Sequence, residues 1–246
     1  MEKNWIIKEQ GNDAEVNALS RALGVNKVIA NLLVQRNIRT FDQAKAFFRP
    51  DLDHLHDPFL MKDMDVAVKR IMVAMEKREK VLIYGDYDVD GTTSVALLYS
   101  FLKDYFEVID YYIPDRYSEG YGISPRGIDY AATHGFSLII ALDCGIKAVE
   151  KIEYARLKGV DFIVCDHHNP GDELPSAVAV LDPKRLDCSY PFKELSGCGV
   201  GFKLVQALAR ELEVEFNTIT RFLDLVVVSI ASDIVPITGE NRVLAH

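Results

Sequence analysis

Asp86, Asp88 and Asp90 stand two apart in "GDYDVDGTTS". Carboxylates at that spacing repel one another. The apolar run "VLIYG" just before them draws them out of water, where an ionised group is costly unless compensated. More acids and imidazoles follow apolar runs downstream: Asp143 in "SLIIALDCG", Asp166 with His167 and His168 in "DFIVCDHHNPG", and Asp182 in "AVAVLDPKR". A single Asp at such a place reads as a helix cap or turn former, and for Asp182 that reading and a functional one stand level. Capping needs neither the acidic cluster nor two adjacent histidines. Divalent cations offset that concentration of negative charge. Oxygen and imidazole donors without thiolates suit Mn²⁺ or Mg²⁺ better than structural zinc. The donors are too many for one catalytic ion with open positions, and about right for two ions sharing a bridging carboxylate.

The elements that must position these residues are legible from periodicity. From residue 80 onward, β-rich runs ("VLIYGDY", "VIDYYIP", "SLIIALD", "DFIVCD", "AVAVLD") alternate with helical ones ("TTSVALLYSFLKDYF", "SPRGIDYAATHG", "KAVEKIEYARLKG"). That alternation predicts an α/β fold, a mostly parallel sheet with helices on both faces. Ligands of such sheets bind beyond the carboxyl ends of the strands, where these acids gather. Two more helices are expected near "GVGFKLVQALARELE" and "FNTITRFLDLVVVSIASD". Residues 1–75 read as a helical N-terminal segment packing on the core, with Thr40 capping "FDQAKAFF".

Composition is that of an ordinary globular protein, with a net charge of −9. An acidic balance argues against a nucleic-acid partner, since phosphate binding normally leaves a basic footprint. No apolar stretch is long enough to span a bilayer, and "MEKNWIIKEQ" lacks a signal-peptide pattern, which points to the cytoplasm. Cys144, Cys165, Cys188 and Cys198 form no C-x-x-C pair and read as small buried residues of a reducing compartment. Zinc through Cys188 and Cys198 lacks further ligand spacing.

Two loops are candidates for substrate. In "IPDRYSEGYGISPRG", Arg116 can grip a phosphate, and Tyr117 and Tyr121 can stack on unpaired bases. In "SGCGVGFKLV", Gly197, Gly199 and Gly201 precede a helix. Backbone amides there, that of Gly199 among them, can meet a phosphate, or the glycines only shape a tight entry to the helix.

At "CDHHNPG" the chain resembles the DHH phosphoesterase superfamily. "DYDVDG" looks like that superfamily's first motif, "LDCG" like its second and "SDIVP", with Asp233, like its fourth. The forms "GDYDVDGTTS", "HDPFLMKDMDVAVKRI", "RYSEGYG" and "SDIVPITGENR" look like those of its RecJ-like branch of 5′→3′ single-stranded-DNA exonucleases. The resemblance implies a metal-dependent phosphodiesterase of DNA repair and recombination, acting on single-stranded DNA beside other repair proteins. It implies two Mn²⁺ or Mg²⁺ ions. Asp88 and Asp143 would hold one, with Asp86 nearby. Asp90, Asp143, His167 and Asp233 would hold the other, so that Asp143 bridges. His168 would hydrogen-bond the scissile phosphate, Asp166 would orient a His ring, and Arg116, Tyr121, Thr92 and Gly199 would contact substrate. Some superfamily members carry a His where Tyr84 stands, which leaves the outermost metal ligand open between Asp86 and a water.

The resemblance divides the chain into the segment 1–75 and a DHH domain over 76–246. It places a DHH-associated domain and an oligonucleotide-binding fold beyond the chain's end; much of the basic groove would lie there, which would reconcile the acidic charge with a DNA substrate. The nearest rival is a DHH enzyme of small substrates: pyrophosphate, a cyclic dinucleotide or short RNA. Non-catalytic relatives lose motif aspartates that this chain keeps. Haloacid-dehalogenase-type phosphatases share the pattern of "DVDGT", but that reading leaves Asp86, Asp143 and the His pair without a role.

Overall fold

The computed structural model describes residue 4 and residues 6–246, which fall into two compact units, Met1–His54 and Leu55–His246. In the first, α1 (Asp13–Leu23), α2 (Lys27–Val34) and α3 (Phe41–Phe48) each start at a side-chain cap, from Asn12, Asn26 and Thr40. Thr40 and Gln43 form a full capping box, satisfying two amides that α3 would otherwise leave orphaned. Val16, Leu19, Ala30, Leu33 and Ala44 make this unit's own small core.

The second unit is built on five parallel strands: β1 (Val81–Gly85), β2 (Ile109–Tyr112), β3 (Leu138–Leu142), β4 (Asp161–Cys165) and β5 (Ala179–Leu181), in the order β2-β1-β3-β4-β5. β1 and β3 are buried throughout, as strands covered on both faces must be. On one face lie α4 (Met64–Glu76), α5 (Val89–Leu102), α8 (Gly197–Glu211) and α10 (Leu223–Ser232); on the other lie α6 (Pro125–Thr133) and α7 (Val149–Leu157). The order reverses between β1 and β3, so their helices leave in opposite directions and open a crevice at the carboxyl edge. The division falls after His54, so α4 goes with the sheet: Met64, Ala67, Val68, Ile71 and Ala74 bury in the sheet's core. The stretch expected as one helix near residue 216 is α9 (Phe216–Ile219), a 3₁₀ turn and then α10. There Thr220 donates its hydroxyl to the Asn217 carbonyl, a local bond that competes with the α pattern. The chain closes with α11 (Gly239–Leu244).

α8 is buried along almost its whole length and carries Lys203, which is wholly enclosed. Its ammonium lies 2.6 Å from Glu240 of α11 and donates to the His56 carbonyl (2.9 Å) and Gln206 (3.0 Å). Tyr190 donates to the other Glu240 oxygen at 2.7 Å. Burial pulls the Lys203 pKa below the usual lysine value despite that partner. Lys203→Met should strand Glu240 without a counter-charge and cost about 3–5 kcal/mol in denaturant unfolding, much of it recovered in Lys203→Met/Glu240→Leu. A single variant as stable as the parent would show that the pair contributes nothing.

Candidate metal centre

Each strand end delivers its acid differently. After β1, Asp86 is fully buried, and its two oxygens accept from the amides of Tyr87 (2.7 Å) and Gly122 (2.6 Å). Burial outweighs those bonds and raises its pKa. Tyr84 points into the opposite face, donates to the Gly122 carbonyl and accepts from the Ser124 amide. The end of β1 thus holds the 121–124 loop through two side chains. Asp88 caps α5, accepting from the Gly91 amide at 2.9 Å. Thr92 donates its hydroxyl back to the Asp88 carbonyl at 2.7 Å.

Asp90 lies in the first turn of α5 and is buried. It accepts from the amides of Gly197 and Cys198, both at 2.7 Å, and from Ser229 of α10 at 2.7 Å. The start of α8 is therefore already occupied by an anion, and that anion is Asp90. The Gly199 amide is spent on the Ser196 cap at 3.1 Å. This corrects the expected phosphate contact at Gly199: the residue is buried and its donor is taken. The cluster has another cause. A Cβ on Gly197 would stand 2.6 Å from Asp143 Cβ, so only glycine lets α8 approach.

Asp143 follows β3 in a left-handed conformation (φ 58°) that aims its carboxylate into the crevice. It is buried, and neither oxygen has a hydrogen-bond partner. Burial first, then the charges of Asp90, Asp88 and Asp166, push its pKa up to about 10. After β4, Asp166 accepts from the amides of Ile146, His167 and His168, and its Oδ1 lies 2.7 Å from His168 Nδ1. Burial alone would raise the Asp166 pKa; the His168 ring and the amides reverse that and hold it low. The same contact raises the His168 pKa. The ring that Asp166 orients is thus that of His168. His167 turns the other way, buried, with both ring nitrogens unpartnered. Its Nε2 lies 3.2 Å from Asp143, and 3.6 Å from both Asp90 and Asp233.

Asp233 ends α10, just before Ile234, whose φ of 57° is strained for a β-branched residue. Burial raises the Asp233 pKa. Ligand atoms of Asp90, His167 and Asp233 lie within 4.8 Å of one another, as do those of Asp143, His167 and His168. Among the described residues, Asp86 and Asp88 join neither group; Asp86 accepts from two amides and Asp88 caps α5. Asp182 belongs to neither. Its Oδ1 accepts from the Lys184 amide at 2.7 Å, the turn-forming alternative, and burial lifts its pKa to about 7. All four cysteines are free and buried, outside both groups.

The unpartnered atoms fit cations. Buried polar atoms are rarely left without hydrogen bonds, yet four of them, on Asp143 and His167, sit side by side here. Hard oxygens with an imidazole are donors for Mn²⁺ or Mg²⁺. Arg116 lies 4.9 Å over the Tyr87 ring; Tyr121 meets Tyr87 edge-on at 5.8 Å and His168 at 6.3 Å. A cationic and aromatic stack therefore leads out from His168, while Tyr117 stands apart, 94% exposed. Sequence reasoning missed Ser229 and the Gly122 amide: a serine inside an apolar helix gives no signal.

Residues 80–230 match the model of the DHH family, N-terminal domain. The chain is 42% identical over 241 residues to the single-stranded-DNA-specific exonuclease RecJ of Bacillus subtilis, covering 98% of this chain and 30% of that protein. It is 36% identical over 194 residues to RecJ of Escherichia coli, covering 75% of this chain and 34% of that one. A crystal structure of exonuclease RecJ bound to manganese superposes with a TM-score of 0.68 at 30% identity, over 75% of this chain and 46% of the other. RecJ of Thermus thermophilus in complex with Mn²⁺ gives 0.76 at 26% identity, over 94% and 32%. The chain spans about a third of the length of the curated relatives it matches.

Proposed function

Because the chain belongs to the DHH family, we propose that it carries the metal-binding half of a 5′→3′ single-stranded-DNA exonuclease of DNA repair and recombination. The observation that carries this reading is the set of buried, unpartnered donors on Asp143 and His167, beside Asp90 and Asp233. The RecJ exonucleases it resembles, with two RecJ structures solved with manganese, support it.

Asp90, Asp143, His167 and Asp233 would hold one Mn²⁺ or Mg²⁺, and Asp88 with Asp143 the other. When bound, the ions lower the pKa of a water and neutralise charge on the phosphodiester. Asp143 would be shared between them, since it alone keeps both oxygens free of hydrogen bonds among the buried acids of the centre. Asp86 holds the 121–124 loop in place rather than supplying a ligand. His168, fixed through Nδ1 by Asp166 and with its pKa raised, offers its other nitrogen as a donor to a phosphate oxygen. Arg116 and Tyr121 meet the strand, by charge and by stacking. Free, buried cysteines suit a reducing cytoplasm, and among the described residues no helix is long and apolar enough to cross a membrane.

A 5′-phosphorylated oligonucleotide labelled at its 3′ end, incubated with Mn²⁺, should shorten from the 5′ end as a single strand and resist as a duplex. Shortening from the other end, or hydrolysis of pyrophosphate and dinucleotides while long strands stay intact, would refute the proposal.

A further inference from the structure

His168 has a second neighbour. Its ring and Asp166 also line a cavity of about 580 Å³. Ile123, Ile146 and Val149 give it apolar walls, and Tyr121 stands at its mouth. Lys147 and Lys151, both exposed, lie at its rim. Apolar walls with a few placed polar groups are the usual make-up of a small-molecule site, and this volume suits one nucleoside.

From this cavity, and resting on the exonuclease reading, we infer that the pocket between the 121–123 loop and the start of α7 receives the unpaired base and sugar of the terminal nucleotide. The geometry links the two sites through one residue. His168 offers a ligand atom to the group with Asp143 and His167, and also lines the cavity. A nucleotide whose phosphate meets His168 has its nucleoside beside a residue that lines the cavity. Tyr121 is half-exposed and lines the cavity, so a base that enters meets an aromatic ring beside His168. A base still paired in a duplex cannot enter without giving up its pairing and stacking. Discrimination against duplex ends is then built into the terminal-nucleotide pocket itself.

The test is equilibrium binding of deoxyadenosine 5′-monophosphate against 2-deoxyribose 5-phosphate, which carries the same phosphate and sugar without the base. The nucleotide should bind about tenfold more tightly, the order expected of one stacked base. Val149→Trp, which fills the cavity from a half-buried position away from the aspartates, should erase that preference. Equal binding of the two phosphates by the unsubstituted chain overturns the inference, whether or not the variant folds. The exonuclease reading is judged separately. A chain that digests single strands yet binds both phosphates alike loses the pocket and keeps the nuclease. One that prefers the nucleotide but digests no strand keeps the pocket and loses the nuclease.

Discussion

Asp143→Asn should abolish hydrolysis and, without divalent cations, raise the melting temperature. Both effects come from the same unpartnered carboxylate. A bridging acid contributes several kcal/mol to what bound cations supply, so activity should fall by about a thousandfold or more. In the metal-free protein the same group is a liability, buried with no hydrogen bond and pressed by Asp90, Asp88 and Asp166. The sign of the pH dependence follows. The folded-state pKa of about 10 lies above the ordinary carboxylate value of 3.8, so the folded chain holds a proton that the unfolded chain has released. Asp143 therefore costs nothing below about pH 4, and its presence erodes stability as pH rises towards 10, by at most about 1.4 kcal/mol per unit. Asn carries no such charge. Melting curves of the two proteins in chelator should diverge with rising pH, the variant higher, and saturating Mn²⁺ should reverse their order. A variant that melts below the parent at pH 8 in chelator would contradict this account of the centre.

Asp90→Asn should do the opposite and destabilise the fold as well as the chemistry. Asp90 accepts three hydrogen bonds, from Gly197, Cys198 and Ser229, through both oxygens. Asparagine keeps one acceptor oxygen and turns an NH₂ group towards donors that need an acceptor. At least one buried amide at the start of α8 is then unsatisfied, and the anion that the helix end favours is gone. The expected cost is about 2–5 kcal/mol in denaturant unfolding, alongside loss of activity. Asp90→Ala should cost at least as much. Bound cations should not restore it, because the lost bonds run to α8 and α10. Equal stability of Asp90→Asn and the parent would mean that the end of α8 is satisfied some other way. The same change, acid to amide, is thus expected to have opposite effects on stability at two aspartates of one centre.

Nothing in the spacing of these two aspartates separates them; distant hydrogen-bond partners, which Asp90 has and Asp143 lacks, do. Alternating β-rich and helical runs were enough for the parallel sheet, since a strand buried on both faces must be apolar throughout and a helix must repeat with its own period. "DYDVDG", "LDCG", "CDHH" and "SDIVP" were enough to bring acids and imidazoles to one edge, because each follows the carboxyl end of an element and parallel strands share that edge. The motifs could not show which oxygens stay free. Asp86, Asp88, Asp90 and Asp143 look alike as letters, yet one holds a loop, one caps its own helix, one anchors another helix and one is left without a partner. Their partners explain the difference. The Gly122 amide is 36 residues from Asp86, Gly197 is 107 from Asp90 and Ser229 is 139 from it. The glycines at the start of α8 stayed ambiguous for the same reason: along the chain a phosphate contact and a tight helix entry stand level, while the close approach that requires one of them is to Asp143, met only through the fold. Residue type and period act locally and are read along the chain. Hydrogen-bond allocation among buried acids is settled by which distant donors the packed helices bring within reach, and that is a property of the assembled structure.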